Sequence, residues 1–186
     1  QLRLKINCRA CAPIDKFGRT NVASIYAVGD VIGPPMLAHK ATKEGEIVAE
    51  VIAGHKAAMD WVTIPGAIFT DPEIATAGLT AEEAKAKGYE VAIGKLQFAA
   101  LGKAMAMNET EGFVKVIADK KTKQVLGVHI VGPEASAMIS EAALSLEMAA
   151  FLDDVALTIH PHPTLGEAFM EAAAHAMGSA VHIANR

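Results

Sequence analysis

GFVKVIADKKTKQVLGVHIV, residues 112–131, holds two runs rich in Val, Ile and Phe on either side of Asp119-Lys120-Lys121-Thr122. β-Branched and aromatic side chains favour the pleated backbone, so the runs at 112–119 and 124–131 read as strands, and the polar residues between them as a hairpin turn. Strands joined this closely pair in antiparallel order, because a parallel pair needs a crossover of a dozen residues or more.

The same texture extends upstream. Strands are expected near 67–70, 74–78 and 89–98, with a small helix at 80–87. Downstream the period changes: Ala135, Met138, Ile139, Ala142, Leu146 and Ala149 step by three or four, predicting a long amphipathic helix over 133–150. Shorter helices follow at 153–159 and 165–177. Strands in one block and helices in the next define an α+β class, an antiparallel sheet with helices. Before residue 62 the order differs. Ile25-Tyr26-Ala27-Val28 reads as a short buried strand closed by Gly29-Asp30, then a Gly33-Pro34-Pro35 loop, then a helix over 36–53 ending at Gly54. Leu37, Ala41, Ile47, Val48, Val51 and Ile52 fall roughly on one side of that helix, with Lys40, Lys43, Glu44 and Glu50 elsewhere. Trp61 to Gly66 reads as a linker, which divides the chain into 1–61 and 62–186.

With 52% hydrophobic residues among 186, the chain can bury a substantial core. A net charge of −4 with basic residues scattered singly argues against nucleic acid and against an anionic membrane surface. No apolar run approaches the ~18 residues of a spanning helix, and the first residues lack the layout of a secretory signal. The expectation is a soluble protein of the cytoplasm, or of the mitochondrial matrix in a eukaryote. Cys8 and Cys11 are too few for a disulfide scaffold or a four-ligand zinc site, and read as an incidental pair in a reducing compartment. His39, His55, His129, His175 and His182 show no ligand spacing, so no metal is expected.

Residues 158–167, TIHPHPTLGE, carry the densest chemistry. A neutral imidazole exchanges protons near neutral pH, and acts as a base when a partner on its other ring nitrogen holds it. His162 and Glu167 could be base and orienter, with Pro161 and Pro163 restricting the backbone on either side. The competing reading is a capping box, in which the Thr164 hydroxyl covers the Glu167 amide and the carboxylate reaches back to the Thr164 amide. The two uses of the carboxylate are expected to exclude each other. Asp30, at the end of a strand, is placed to accept a hydrogen bond from a sugar-type hydroxyl, and the helix past Pro35 aims free amides at an electron-rich group.

Taken in order, Arg19-Thr20, Ile25-Tyr26-Ala27-Val28-Gly29-Asp30, Met36-Leu37-Ala38-His39-Lys40-Ala41 and Ile159-His160-Pro161-His162-Pro163-Thr164-Leu165-Gly166-Glu167 resemble the pyridine nucleotide-disulfide oxidoreductase family. The resemblance runs from about residue 14 to about 178. It implies that 1–61 is the C-terminal remnant of an FAD-binding domain and 62–186 an interface (dimerisation) domain. It also implies that Asp30 binds the ribitol of FAD, and that Leu37, Ala38 and His39 face the flavin. His162 would be the acid/base for dihydrolipoamide, oriented by Glu167, with a cis peptide before Pro163 and NAD as co-substrate. The implied partners are a second copy of the chain and the lipoyl domain of 2-oxoacid dehydrogenase complexes. The family's GxGxxG fingerprint, redox cysteine pair and nicotinamide-binding unit are not in this sequence, so the chain alone is expected to be inactive. Two alternatives stay open: a stand-alone dimerisation module without catalysis, and a relative acting on glutathione, although the His160-Pro161-His162 pair resembles the lipoamide branch more.

Overall fold

Residues 3–7 and 10–185 are described by the computed structural model, so Cys8 lies outside the described residues, while Cys11 is buried. The chain divides into two compact units, 1–61 and 62–186.

In the second unit the side chains sort by strand period. Val114, Val116 and Ala118 of β4 (Phe113–Asp119) point the same way as Val128 and Ile130 of β5 (Val125–Gly132), and all five are essentially sealed from solvent. Leu96 of β3 (Val91–Gln97) and Ala75 and Ala77 of β2 (Glu73–Gly78) continue this inner face. With β1 (Gly66–Ile68) the strands form one fully antiparallel sheet in the order β1-β2-β5-β4-β3. The β4–β5 turn is held as expected: Asp119 accepts from the Lys121 and Thr122 amides and from the Thr122 hydroxyl.

Three helices cover the inner face. α4 (Ala135–Glu147) lies on β2 and β5, α6 (Glu167–Ala176) on β3 and β4, and α5 (Leu152–Leu157) against α6. α6 approaches unusually closely because Gly94 of β3 has no side chain; a Cβ there would sit 1.8 Å from the Ala172 carbonyl oxygen. The Lys95 amide donates to His175 Nδ1 at 3.1 Å and pins the same contact. On the other face, α2 (Ala81–Ala86) covers Ile117 and Leu126, its start fixed by a capping box between Thr80 and Glu83. Phe98, expected to end a strand, instead opens a 3-10 turn (Phe98–Ala100), and α3 (Gly102–Met107) follows where no element is expected. Leu101 and Ala104 anchor that segment in the core, and six residues are too few for a clear helical period.

The first unit departs from expectation twice. Residues 25–28 form no buried strand. They are half-buried, and their one ladder contact is an isolated bridge between Arg19 and Tyr26. A strand is sustained by partners along its length, and among the described residues of this unit only 18–20 run alongside it. The second departure is in α1 (Ala38–Ile52): its buried residues are Lys40, Glu44 and Val48, while Ile52 is 62% exposed. Two of the four charged residues expected outside, Lys40 and Glu44, are inside, where Lys40 Nζ lies 2.8 Å from Glu44 Oε1 and the pair neutralises itself, while Lys43 and Glu50 are exposed as expected.

Candidate functional site

The segment between α5 and α6 is built from local hydrogen bonds. The Thr158 hydroxyl donates to the Asp154 carbonyl and ends α5; the Thr164 hydroxyl donates to the Pro161 carbonyl at 2.7 Å and closes a turn over His162. The His162–Pro163 peptide is cis. The imidazole of His162 is displayed at the surface, its side chain 69% exposed, while that of Glu167 is only 7% exposed. His162 Nδ1 lies 2.9 Å from Glu167 Oε1. The other carboxylate oxygen, Oε2, accepts the Thr164 amide at 2.7 Å.

The two uses of Glu167 therefore coexist, one per oxygen, which corrects the expectation that one excludes the other. A carboxylate has lone pairs on both oxygens and can serve two donors at once. The capping box itself is only half present, because the Thr164 hydroxyl is turned to Pro161 and the residue preceding α6, Gly166, offers no side-chain cap.

Burial alone would push the Glu167 carboxyl up. The Thr164 amide, the His162 hydrogen bond and the charges of His162 and His182 outweigh it, so Glu167 lies below its ordinary value and is ionised near neutral pH. An ionised carboxylate only accepts, so the hydrogen between the two residues sits on His162 Nδ1, and in the neutral ring the lone pair falls on Nε2. That nitrogen is the free end of the pair. Cε1 of the same ring passes 3.8 Å from the position a Cβ would take at Gly102, the first residue of α3.

The remaining residues singled out from the sequence lie in the first unit. Asp30 is exposed within a 3-10 turn, Gly29–Ile32, and Leu37, Ala38 and His39 form the start of α1. Leu37 offers no side-chain cap and no acidic residue occupies the first turn, so the positive end of the helix dipole favours an electron-rich ligand there. The turn carrying Asp30 is clasped from below: Glu44 Oε2 accepts the Gly29 amide at 2.7 Å, and Lys40 Nζ reaches the Gly33 carbonyl at 3.4 Å. An exposed carboxylate on a braced turn beside an uncapped helix start fits a ligand with hydroxyls and a group that gains negative charge. The Lys40–Glu44 clasp went unread in the sequence, though its i, i+4 spacing was the available signal.

Two further histidines are engaged by carboxylates. His160 is half-buried as a residue but its side chain is only 7% exposed; Nδ1 is 2.9 Å from the Thr158 carbonyl and Nε2 2.9 Å from Glu141 Oε1 of α4. His182 Nδ1 is 3.3 Å from Glu171, a buried carboxylate one turn beyond Glu167 that also accepts the amides of Val181 and His182.

An antiparallel sheet under three helices is a fold this chain shares with flavoprotein disulfide reductases. The structure superposes on the HOCl-induced flavoprotein disulfide reductase RclA of Escherichia coli with a TM-score of 0.86 and 25% identity, over 92% of this chain and 40% of that one. LpdA of Mycobacterium tuberculosis gives 0.85 and 27%, over 92% and 38%. Residues 64–173 match the family described as pyridine nucleotide-disulphide oxidoreductase, dimerisation domain, and residues 1–45 match pyridine nucleotide-disulphide oxidoreductase. The chain belongs to the pyridine nucleotide-disulphide oxidoreductase family. Among curated relatives, a dihydrolipoyl dehydrogenase of Halobacterium salinarum is 54% identical over 172 residues, covering 92% of this chain and 36% of the relative. One from Geobacillus stearothermophilus is 46% identical over 183 residues, covering 98% and 39%. The chain thus spans under two fifths of the length of these relatives.

Proposed function

We propose that this chain supplies the acid/base pair and the dimer interface of an enzyme that oxidises dihydrolipoamide. The observation that carries the proposal is the His162–Glu167 pair: a displayed imidazole whose Nδ1 is held by an ionised, buried carboxylate, so that the neutral ring carries its lone pair on Nε2. His162 takes the proton from a substrate thiol, so that the thiolate attacks a redox disulfide, and Glu167 stabilises the imidazolium that results. The relatives' name, dihydrolipoyl dehydrogenase, supports dihydrolipoamide as the thiol substrate, borne on the lipoyl domain of a 2-oxoacid dehydrogenase complex.

The cofactor-facing residues belong to the same proposal. Asp30 would hold a ribitol hydroxyl of FAD, and the backbone at Leu37, Ala38 and His39 would face the flavin. When bound, FAD would supply the redox step, passing the electron pair of the reduced cysteine pair on to NAD. In this reading residues 1–61 are the end of an FAD-binding domain and 62–186 the interface domain, which pairs with a second copy so that each His162 serves its partner's site. The exposed Leu144, Met148, Leu157 and Ile159 give the helical layer an apolar surface suited to that pairing.

The test is a substrate comparison in the FAD-loaded full-length enzyme. Dihydrolipoamide should turn over, glutathione should not, and His162→Gln should lower the dihydrolipoamide rate by about 10²- to 10⁴-fold, the usual weight of a general acid/base. Preference for glutathione would move the chain to the other branch. Turnover by the 186-residue chain alone would overturn its assignment as a contributing part.

A further inference from the structure

Of the two histidines that flank Pro161, one is displayed and the other is locked. We propose that His160 is a positioning residue: bolted to α4 through Glu141 and to its own turn through the Thr158 carbonyl, it fixes the direction in which His162 presents Nε2. The inference rests on the reading of His162 as the base, and extends it to residues that act through His162.

The geometry is that of a two-point anchor. Both ring nitrogens of His160 are engaged, each at 2.9 Å, by oxygens on opposite sides of the ring. A ring held at both ends cannot rotate about χ2 without losing a bond. Its burial is not hydrophobic packing of a spare imidazole, because it brings Glu141, 42% exposed, into a side-chain bond across 19 residues of chain. From this anchor, Pro161 fixes one backbone dihedral and restricts the residue before it, so little freedom remains between the two imidazoles. The Thr164 hydroxyl bonds the Pro161 carbonyl and the Thr164 amide bonds Glu167, which returns to His162. The loop also rests on the anchor directly: a Cβ at Gly166 would lie 3.6 Å from His160 Cδ2. The result is a closed frame running from α4 through His160, Pro161 and His162 to α6. Without the α4 corner, Glu167 still bonds the imidazole, but the backbone that carries the imidazole is free to pivot.

Both oxygens facing His160 can accept, so the bonds need two hydrogens, on the ring or shared with Glu141. A glutamine at 141 keeps an acceptor oxygen in place and adds a donor, so it preserves the tether without the charge. Alanine removes the tether. This separates positioning from electrostatics.

The experiment measures kcat and KM for dihydrolipoamide in the FAD-loaded full-length enzyme for Glu141→Ala, Glu141→Gln, His160→Ala and His162→Gln. Transfer from NADH to an artificial acceptor that bypasses the thiol step serves as the reference. Glu141→Ala and His160→Ala should lower kcat on dihydrolipoamide by about 10- to 100-fold relative to the reference rate, with KM little changed, the signature of a misplaced group rather than lost binding. Glu141→Gln should stay within about threefold of wild type. A second readout needs no turnover: ¹⁵N NMR of the His162 ring in the 186-residue chain should show a fixed Nδ1–H tautomer in wild type and in Glu141→Gln, and an averaged one in Glu141→Ala. Wild-type kcat and an unchanged His162 tautomer in Glu141→Ala would overturn the proposal. Equal damage from Gln and Ala would replace positioning by a charge effect, and so overturn it as stated. Should His162→Gln leave dihydrolipoamide turnover intact, the base reading fails, and the ring signals still decide whether His160 orders its neighbour.

Discussion

The two units hold themselves together by different physics. Residues 62–186 are organised by apolar burial: one continuous cluster runs from Ala75 through Phe98, Val116 and Ile130 to Ala173, between a five-stranded sheet and its helices. Residues 1–61 bury few apolar side chains, chiefly Cys11, Ala12 and Val48, and their most sealed charged groups are Lys40 and Glu44. The first arrangement draws stability from area removed from water and tolerates an exposed working edge such as the His162 loop. The second draws its order from a few directional bonds around the Asp30 turn, where losing one partner strands another. Stability is therefore expected to be high in the unit that presents the His162–Glu167 pair and fragile in the unit that carries the Asp30 turn.

Four changes would break or sharpen this contrast. The largest effect should come from Phe98→Ala, which empties a fully buried site whose ring lies against Gly132, where a Cβ would meet Phe98 Cε2 at 2.2 Å. A loss of about 3–5 kcal/mol is expected in urea unfolding followed by far-UV circular dichroism, confined to the transition of the second unit. Next, Glu44→Ala leaves Lys40 buried and the Gly29 amide without its acceptor. It should cost roughly 3 kcal/mol, seen by hydrogen exchange at 29–48, and Lys40→Met added to it should restore part of the loss. An unaffected first unit would show that the clasp is ornamental.

Gly94→Ala comes third. Its Cβ would press on the Ala172 carbonyl at 1.8 Å and the Ala176 amide at 2.7 Å, so α6 must lift. About 1–3 kcal/mol should be lost, and Glu167 should move with its helix and weaken its bond to His162. The smallest effect is in pH. Because the folded Glu167 carboxyl lies below its ordinary 4.5, its contribution is present above that value and disappears as pH falls through the depressed one. Glu167→Gln should flatten the acid limb of stability, measured by chemical denaturation between roughly pH 6 and pH 3. An unchanged acid limb would mean that the carboxylate gains nothing from Thr164 and His162.

The contrast also marks where sequence reading worked. Alternation along 112–131 and the three-four steps along 133–150 yielded the sheet and its long helix, because apolar burial writes its period into the chain. The His162–Glu167 contact was one of the two uses of that carboxylate legible in the sequence, with Pro161 and Pro163 restricting the backbone on either side of His162. Polar order left weaker traces. The inward face of α1 is a lysine and a glutamate, which hydrophobic periodicity assigns to solvent, and the expected strand at 25–28 has only one bridge. His160 was visible as a letter in a motif, but its partner Glu141 lies 19 residues away on another element, and no local pattern announces such a bond.

The most direct test of the central claim is stopped-flow reduction of the bound flavin by dihydrolipoamide, wild type against His162→Gln. If His162 takes the thiol proton, flavin reduction in the variant should slow by about 10²- to 10⁴-fold, while reduction by NADH keeps its wild-type rate. Equal rates with dihydrolipoamide would contradict the account, and would leave the His162–Glu167 pair as a brace for the loop before α6.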